Sequence, residues 1–321
     1  MKQAVRNHTI DLLKLLFSFG IIAIHLHLFD ESPLLYYSTT QSLLRIGVPF
    51  FFIVSGYYFA PKAENRDAAY GYVKRLIRIY VTFEAVDLIL SLSVNHSLLQ
   101  SPLLILQKVL TCGVNGIYWY LISLILTCFL LRPLWAKKKT VLLIGIGLIL
   151  YLLAMTDDSY AGFFAGTAVR NYVHLHTLFW RWPQAGLAQS VLYLSIGVLI
   201  RQKHIRIPHA GIFFLISLVF LIGEAFFTQT HGAADANCYL SLLFAAPLLF
   251  LWAAEHPALI RCPDAVRDLC LYVYMIHIYV NYLTYPLPGI LRFPVSALLS
   301  ALASLLLIRL RNRRNTKKKD I

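Results

Sequence analysis

Ten apolar stretches, each roughly 17–20 residues long and nearly free of charge, leave this chain of 321 residues few ways to fold. They lie at about 9–28, 43–60, 77–94, 116–134, 140–156, 184–200, 210–227, 238–254, 268–285 and 289–308. None shows the period-two alternation of a half-buried strand, so each reads as a helix. Hydrocarbon offers backbone groups no water to bond, which restricts spanning structures to helices and closed barrels. The charged fraction supports lipid as the solvent: it is 14% here, against about 25% in a typical soluble domain. The expected fold class is therefore all-α, a polytopic membrane helix bundle of about ten transmembrane helices.

The positions of Lys and Arg orient such a bundle. Placing the N-terminus, alternate loops and the C-terminus on one side gathers 23 of the 29 basic residues there. They fall at 2–6, 62–78, 132–139, 201–206, 261–267 and 309–319; the other side holds Arg45, Lys108, Arg170, Arg181 and Arg292, and Lys14 lies within a span. Basic loops stay in the cytoplasm, so both termini are expected there. The net charge of +14 is thus topological, and no nucleic-acid partner is expected. Residues 1–308 form the expected transmembrane domain, and 309–321 a basic cytoplasmic tail suited to anionic lipid. The first stretch is a full span carrying Asp11, Lys14 and His25, unlike the core of a signal peptide. The five cysteines show no CxxC and no metal-ligand spacing, so neither a disulfide framework nor a metal site is expected.

Ionisable residues inside spans are expensive and mark candidate sites. Lys14 and His25 are eleven residues apart, about 20° of rotation and about 16 Å of rise along a helix. Asp11, Lys14, Ser18 and His25 therefore share one helical face, with His25 suited to proton transfer. Glu84 and Asp87 lie three apart in the third span and need a cation, a proton, water or a structural partner. His277 lies inside the ninth span, where site and structural roles weigh equally. Arg75 and Arg78, one turn apart at the cytoplasmic surface, make a pair able to clamp phosphate.

Several of these segments resemble one family, the acyltransferase-3 membrane proteins. Asp11 to Lys14 followed by His25 is similar to its first-span signature of a basic residue, ten others and a histidine; Lys14 stands where the family most often has Arg. Gly47-Val-Pro-Phe-Phe-Phe-Ile-Val-Ser-Gly56 resembles its second-span motif, Arg75-Leu-Ile-Arg78 its Arg-x-x-Arg, Trp119-Tyr-Leu its Trp-aromatic-Leu, and Tyr274-Met-Ile-His277 its late aromatic-x-x-His. The resemblance implies transfer of an acyl group, usually acetyl, from cytoplasmic acyl-CoA to a hydroxyl of a surface glycan or small acceptor. It implies His25 as general base with Lys14 guiding the thioester. Arg75 and Arg78 would hold the coenzyme A phosphates, and Trp119 and Ser55 would shape the acyl channel. Asp11, Glu84, Asp87 and His277 stand as possible supporting residues. No permanently bound cofactor is implied, and the setting is the bacterial cytoplasmic membrane.

The chain is also similar to the membrane portion of the serine racemases of vancomycin-type resistance. That likeness keeps a second class open: a transporter or uptake module for a small amino acid such as serine. Such a protein would use Asp11, Lys14, Glu84 and Asp87 as a proton or ion path. No internal repeat of the kind many transporters carry is evident in the sequence.

Overall fold

The computed structural model describes residues 7–94, 101–180, 186–257, 262–263 and 265–317. Among the described residues all regular structure is helical. The α-helices are α1 His8–His25, α2 Pro33–Leu35, α3 Gly47–Ala63, α4 Arg66–Val94, α5 Pro102–Thr111, α6 Trp119–Ala136 and α7 Thr140–Met155. They continue as α8 Ala168–Trp180, α9 Leu187–Lys203, α10 Ala210–Thr230, α11 Leu242–Glu255, α12 Ala265–Leu283 and α13 Gly289–Lys317. A π-helical turn at Tyr36–Thr40 and a 3-10 turn at Leu43–Ile46 join α2 to α3.

Each of the ten predicted stretches falls on one of these helices, and among the described residues five stretches are long and apolar enough to cross a membrane: His8–His25, Pro33–Ala63, Trp119–Ala136, Ala210–Thr230 and Leu291–Arg313. The differences are local. The first span was expected to run to residue 28, yet α1 stops at His25 and the chain turns through His27 and Phe29, both at positive φ. The basic stretch 70–80 and the third span are one continuous helix of 29 residues. The helix α13 runs on past residue 308 through the basic segment to Lys317. Three helices, α2, α5 and α8, were not anticipated, because at 3, 10 and 13 residues they are too short to read as spans. A local signal for α8 exists: the hydroxyl of Thr167 accepts from the Arg170 amide at 3.3 Å, an N-terminal cap.

The chain divides into two compact units, Met1–Gly47 with Leu249–Ile321, and Val48–Leu248. In the first, Ile22 of α1 packs with Leu269 and Val273 of α12 and Ile308 of α13. Lipid supplies no hydrophobic drive between helices, so close packing and polar contacts must hold them. The polar contacts are present. Ser18 Oγ lies 3.4 Å from the Cys270 carbonyl oxygen, and the Thr284 and Ser296 hydroxyls are 2.6 Å apart. The Arg311 guanidinium pairs with the buried Asp268 carboxylate and lies over the Tyr272 ring. Asn7 caps α1 and also donates to the Ala253 carbonyl at 2.8 Å.

The second unit relies on small residues. A Cβ on Gly56 would stand 2.1 Å from the Leu194 carbonyl oxygen, and one on Gly197 would stand 2.1 Å from that of Ile53. Only glycine lets α3 and α9 approach so closely. At Gly147 a Cβ would meet the Leu192 Cα at 2.7 Å, the same device between α7 and α9. Thr127 and Ser190 are 2.7 Å apart between α6 and α9, and Trp135 Nε1 donates to Ser195 Oγ at 3.2 Å.

One end of this unit is tied by three carboxylates, of which Asp157 and Asp158 are buried. Asp158 Oδ1 accepts from the amides of Asn237 and Cys238 at 2.8 and 2.9 Å, and Asn237 Nδ2 donates to Asp158 Oδ2 at 3.1 Å. Burial, with Asp235 beside it, pushes the Asp158 carboxyl up to about 6. Glu224 accepts from the Tyr160 hydroxyl at 2.6 Å and the Leu240 and Ser241 amides at 2.6 and 2.7 Å. Asp157 takes Arg170 Nε at 3.1 Å and His174 Nδ1 at 3.0 Å, which docks α8.

Candidate active site

The predicted face of α1 exists and is covered by α12. Asp11 and Ser18 are buried and Lys14 is half-buried. Asp11 and Lys14 lie within electrostatic range of the Cys270 thiol, beside the Ser18 contact. Seven residues further along both helices, the rings of His25 and His277 meet, with centroids 5.1 Å apart and planes tilted by 31°. His25 is the last residue of α1 and keeps an exposed surface, whereas His277 is fully buried. His277 Nδ1 lies 2.7 Å from the Tyr274 carbonyl oxygen.

Sequence reasoning treated Arg45 only as loop charge. It lies within electrostatic range of His25, held by the Thr40 carbonyl at 3.3 Å and Gln41 Oε1 at 2.8 Å. Gln41 Nε2 in turn donates to the Tyr36 hydroxyl at 2.6 Å, which also lies 3.4 Å from His27 Nδ1. The π-helical turn places these side chains, a distortion that recurs at functional sites. The signal that could have found Arg45 was its position two residues before Gly47, the start of the second-span motif.

The other candidates lie in the second unit. Arg75 and Arg78 are exposed on α4. Arg75 acts electrostatically on Lys62 and on Tyr72, and the Lys62 ammonium lies 5.7 Å from the centre of the Tyr72 ring. Tyr72 bonds Ser55, whose Oγ lies 3.4 Å from the Tyr120 hydroxyl. Tyr120 packs on Phe52 with centroids 4.6 Å apart. A continuous row thus runs from a basic surface through Tyr72 and Ser55 to Tyr120. Lys62, Tyr72 and Tyr120 were not singled out from the sequence. Trp119 opens α6 one residue before Tyr120 and is half-buried. Arg78 stands one turn beyond Arg75 on α4.

Glu84 and Asp87 are buried on α4. Glu84 was expected to need a cation, a proton, water or a Lys or Arg on a neighbouring helix. Its Oε1 accepts the Val114 amide at 2.7 Å, and its carboxyl also bonds the Tyr80 side chain. Tyr80 donates to the Val109 carbonyl at 2.5 Å, and Ser91 Oγ lies 3.3 Å from Asn115 Oδ1. These contacts pin the segment leading into α6, so Glu84 sets where Trp119 and Tyr120 begin. An apolar cavity of about 350 Å³, lined by residues that include Ile122, Leu126, Leu153 and Val173, contains none of the candidates. Among the described residues no cluster of His, Cys, Asp and Glu could hold a metal ion.

The acyltransferase-3 family model, whose description is an acyltransferase domain, matches residues 7–309. The chain belongs to the acyltransferase-3 family. With its apolar helices, this makes it a multi-pass membrane protein of an acyltransferase family. Two curated relatives are similar to it. A serine/alanine racemase of Enterococcus gallinarum is 29% identical over 86% of this chain and 41% of its own length. An amino-acid racemase of Enterococcus faecalis is 26% identical over 85% of this chain and 40% of its own length. The chain therefore spans about two fifths of the relatives it matches. No solved structure matches.

Proposed function

We propose that this acyltransferase-3 protein is an acyl-CoA-dependent O-acyltransferase of the bacterial cytoplasmic membrane, with ten spans and both termini in the cytoplasm. The observation that carries the reading is the imidazole of His25, exposed at the end of α1 and backed by His277. A neutral imidazole there can accept the proton of an acceptor hydroxyl. The row from Arg75 and Lys62 through Tyr72 to Ser55 and Tyr120 suits a donor with phosphates at one end and a slender arm. Arg75, with Arg78 one turn along, would hold the coenzyme A phosphates by charge-assisted hydrogen bonds. Ser55, Tyr120 and Trp119 would flank the pantetheine and acyl group, and Lys14 would guide the thioester along α1.

In the reaction, His25 removes the proton of the acceptor hydroxyl. The oxygen bonds the thioester carbonyl carbon, the tetrahedral intermediate collapses, and the carbon–sulfur bond breaks. The thiolate takes a proton and leaves as free coenzyme A, and the acceptor leaves as an ester. Acetyl is the proposed acyl group, and a surface glycan or small hydroxylated metabolite the proposed acceptor. No resident cofactor is part of the scheme.

The names of both relatives favour one second reading, a membrane module that handles a small amino acid such as serine. One experiment separates the two. Purified protein is given acetyl-CoA with and without host membrane extract, and free coenzyme A is measured for wild type and His25→Ala. Extract-stimulated release that disappears in His25→Ala supports acyl transfer. Absence of both release and acetyl-CoA binding, with labelled serine taken up by proteoliposomes, would replace it.

A further inference from the structure

His277 is more than a packing partner for His25. Its Nδ1 faces the Tyr274 carbonyl at 2.7 Å. A carbonyl oxygen only accepts, so Nδ1 carries the ring hydrogen. That fixes the tautomer and leaves Nε2 with its lone pair. Nε2 is buried and, among the described residues, has no hydrogen-bond partner. Leaving such an acceptor unpaired costs about 1–3 kcal/mol, which a fold retains where the group has work to do.

The neighbour that can supply a hydrogen is His25. At 5.1 Å between centroids and a 31° tilt, the two rings are close enough for a nitrogen of one to face a nitrogen of the other. Arg45 and His27 also lie within electrostatic range of His25, and the Tyr274 and Val273 carbonyls are backbone partners of the His277 ring.

We propose that His25 and His277 form a two-imidazole proton relay. His25 takes the acceptor's hydroxyl proton at one ring nitrogen while the hydrogen on its other nitrogen passes to His277 Nε2. The acceptor oxygen bonds the thioester carbonyl carbon, the carbon–sulfur bond breaks, and the relay runs backwards to protonate the departing sulfur. His277 acts through His25, as a positioning residue. The catalytic part rests on the acyl-transfer reading; the pairing of the rings does not.

The test uses the full chain in nanodiscs, labelled with ¹⁵N-histidine, with His277→Gln to assign its resonances. The expected spectrum shows His277 with hydrogen on Nδ1 and an Nε2 signal that moves in His25→Ala. A hydrogen on Nε2, or an Nε2 signal indifferent to His25→Ala, overturns the relay. In the coenzyme A release assay, His277→Gln should lower kcat about 10- to 100-fold. Its KM for acetyl-CoA and its thermal midpoint should hold, and added imidazole should restore part of the rate of His277→Ala. Loss through a raised KM and a lowered midpoint, without imidazole rescue, would reduce His277 to packing. If wild type shows the ring coupling and releases no coenzyme A, acyl transfer falls and the imidazole pair stands.

Discussion

Replacing Gly56 by Ala should cost this protein more stability than any surface change, and the structure sets the size of the effect. The new Cβ would lie 2.1 Å from the Leu194 carbonyl oxygen and 2.9 Å from its carbon and Cα, whereas ordinary contact begins at 3.4 Å. The obstacle is backbone, so no rotamer change relieves it. The two helices must part by about 1 Å, the difference between 2.1 and 3.4 Å. A gap of that size forfeits roughly a quarter to a half of each contact's dispersion energy along the seam. Overpacking itself costs about 1–3 kcal/mol. A loss of about 3 kcal/mol or more is expected for Gly56→Ala, and a similar loss for Gly197→Ala on the facing helix. Gly145→Ala is the control: its Cβ meets nothing within 4 Å, and removing glycine from a helix gains about 0.5–1 kcal/mol. Thermal unfolding in one detergent, followed by tryptophan fluorescence and by the monodisperse fraction on size exclusion, reads all three. Equal midpoints for Gly56→Ala and Gly145→Ala would refute the account of the α3–α9 contact.

Two further outcomes are expected. Arg75→Ala should raise the KM for acetyl-CoA more than Arg78→Ala, because only Arg75 is tied to Lys62 and Tyr72, with kcat moving less in both; unchanged KM values would make these arginines topological charge alone. Asp158 is an acid raised from 3.8 to about 6 by burial, so between those pH values the folded chain binds more protons than the unfolded one. Stability from this group is therefore greatest below about pH 4 and falls as pH rises through about 6. Asp158→Asn should flatten that dependence in thermal midpoints measured between pH 4 and 7; an unchanged slope would remove Asp158 as its source.

The helices were legible because lipid imposes one rule on every span: an unbroken apolar run long enough to cross. The site was legible only where it followed helical periodicity. The face of Asp11, Lys14, Ser18 and His25 needs nothing but 100° per residue; that α12 covers it was not legible. Arg45 escaped because its approach to His25 depends on a π turn and a 3-10 turn that no simple period describes. Lys62, Tyr72 and Tyr120 escaped because they meet Ser55 and Arg75 across three different helices. The Glu84 contact escaped for another reason. One partner is a backbone amide in a loop, and backbone donors leave no mark in the side-chain sequence.

The directions of α1 and α12 bear on how the chain crosses its membrane. Ser18 lies by Cys270 and His25 by His277, so the two helices run the same way. The helix α13 runs against α12, since Thr284 meets Ser296 at one end and Asp268 meets Arg311 at the other. The start of α1 and the end of α13 therefore share one end of their unit. That opposition of α1 and α13 supports the proposed even number of crossings, the parity that the Lys and Arg distribution favours. Both inferences converge on His25. A polar stripe at Lys14 and His25 is expensive against lipid, yet along α12 it meets Cys270 and His277. That cost is tolerable because the stripe is turned inward, and an inward stripe ending in an accessible imidazole is what proton transfer within a membrane demands.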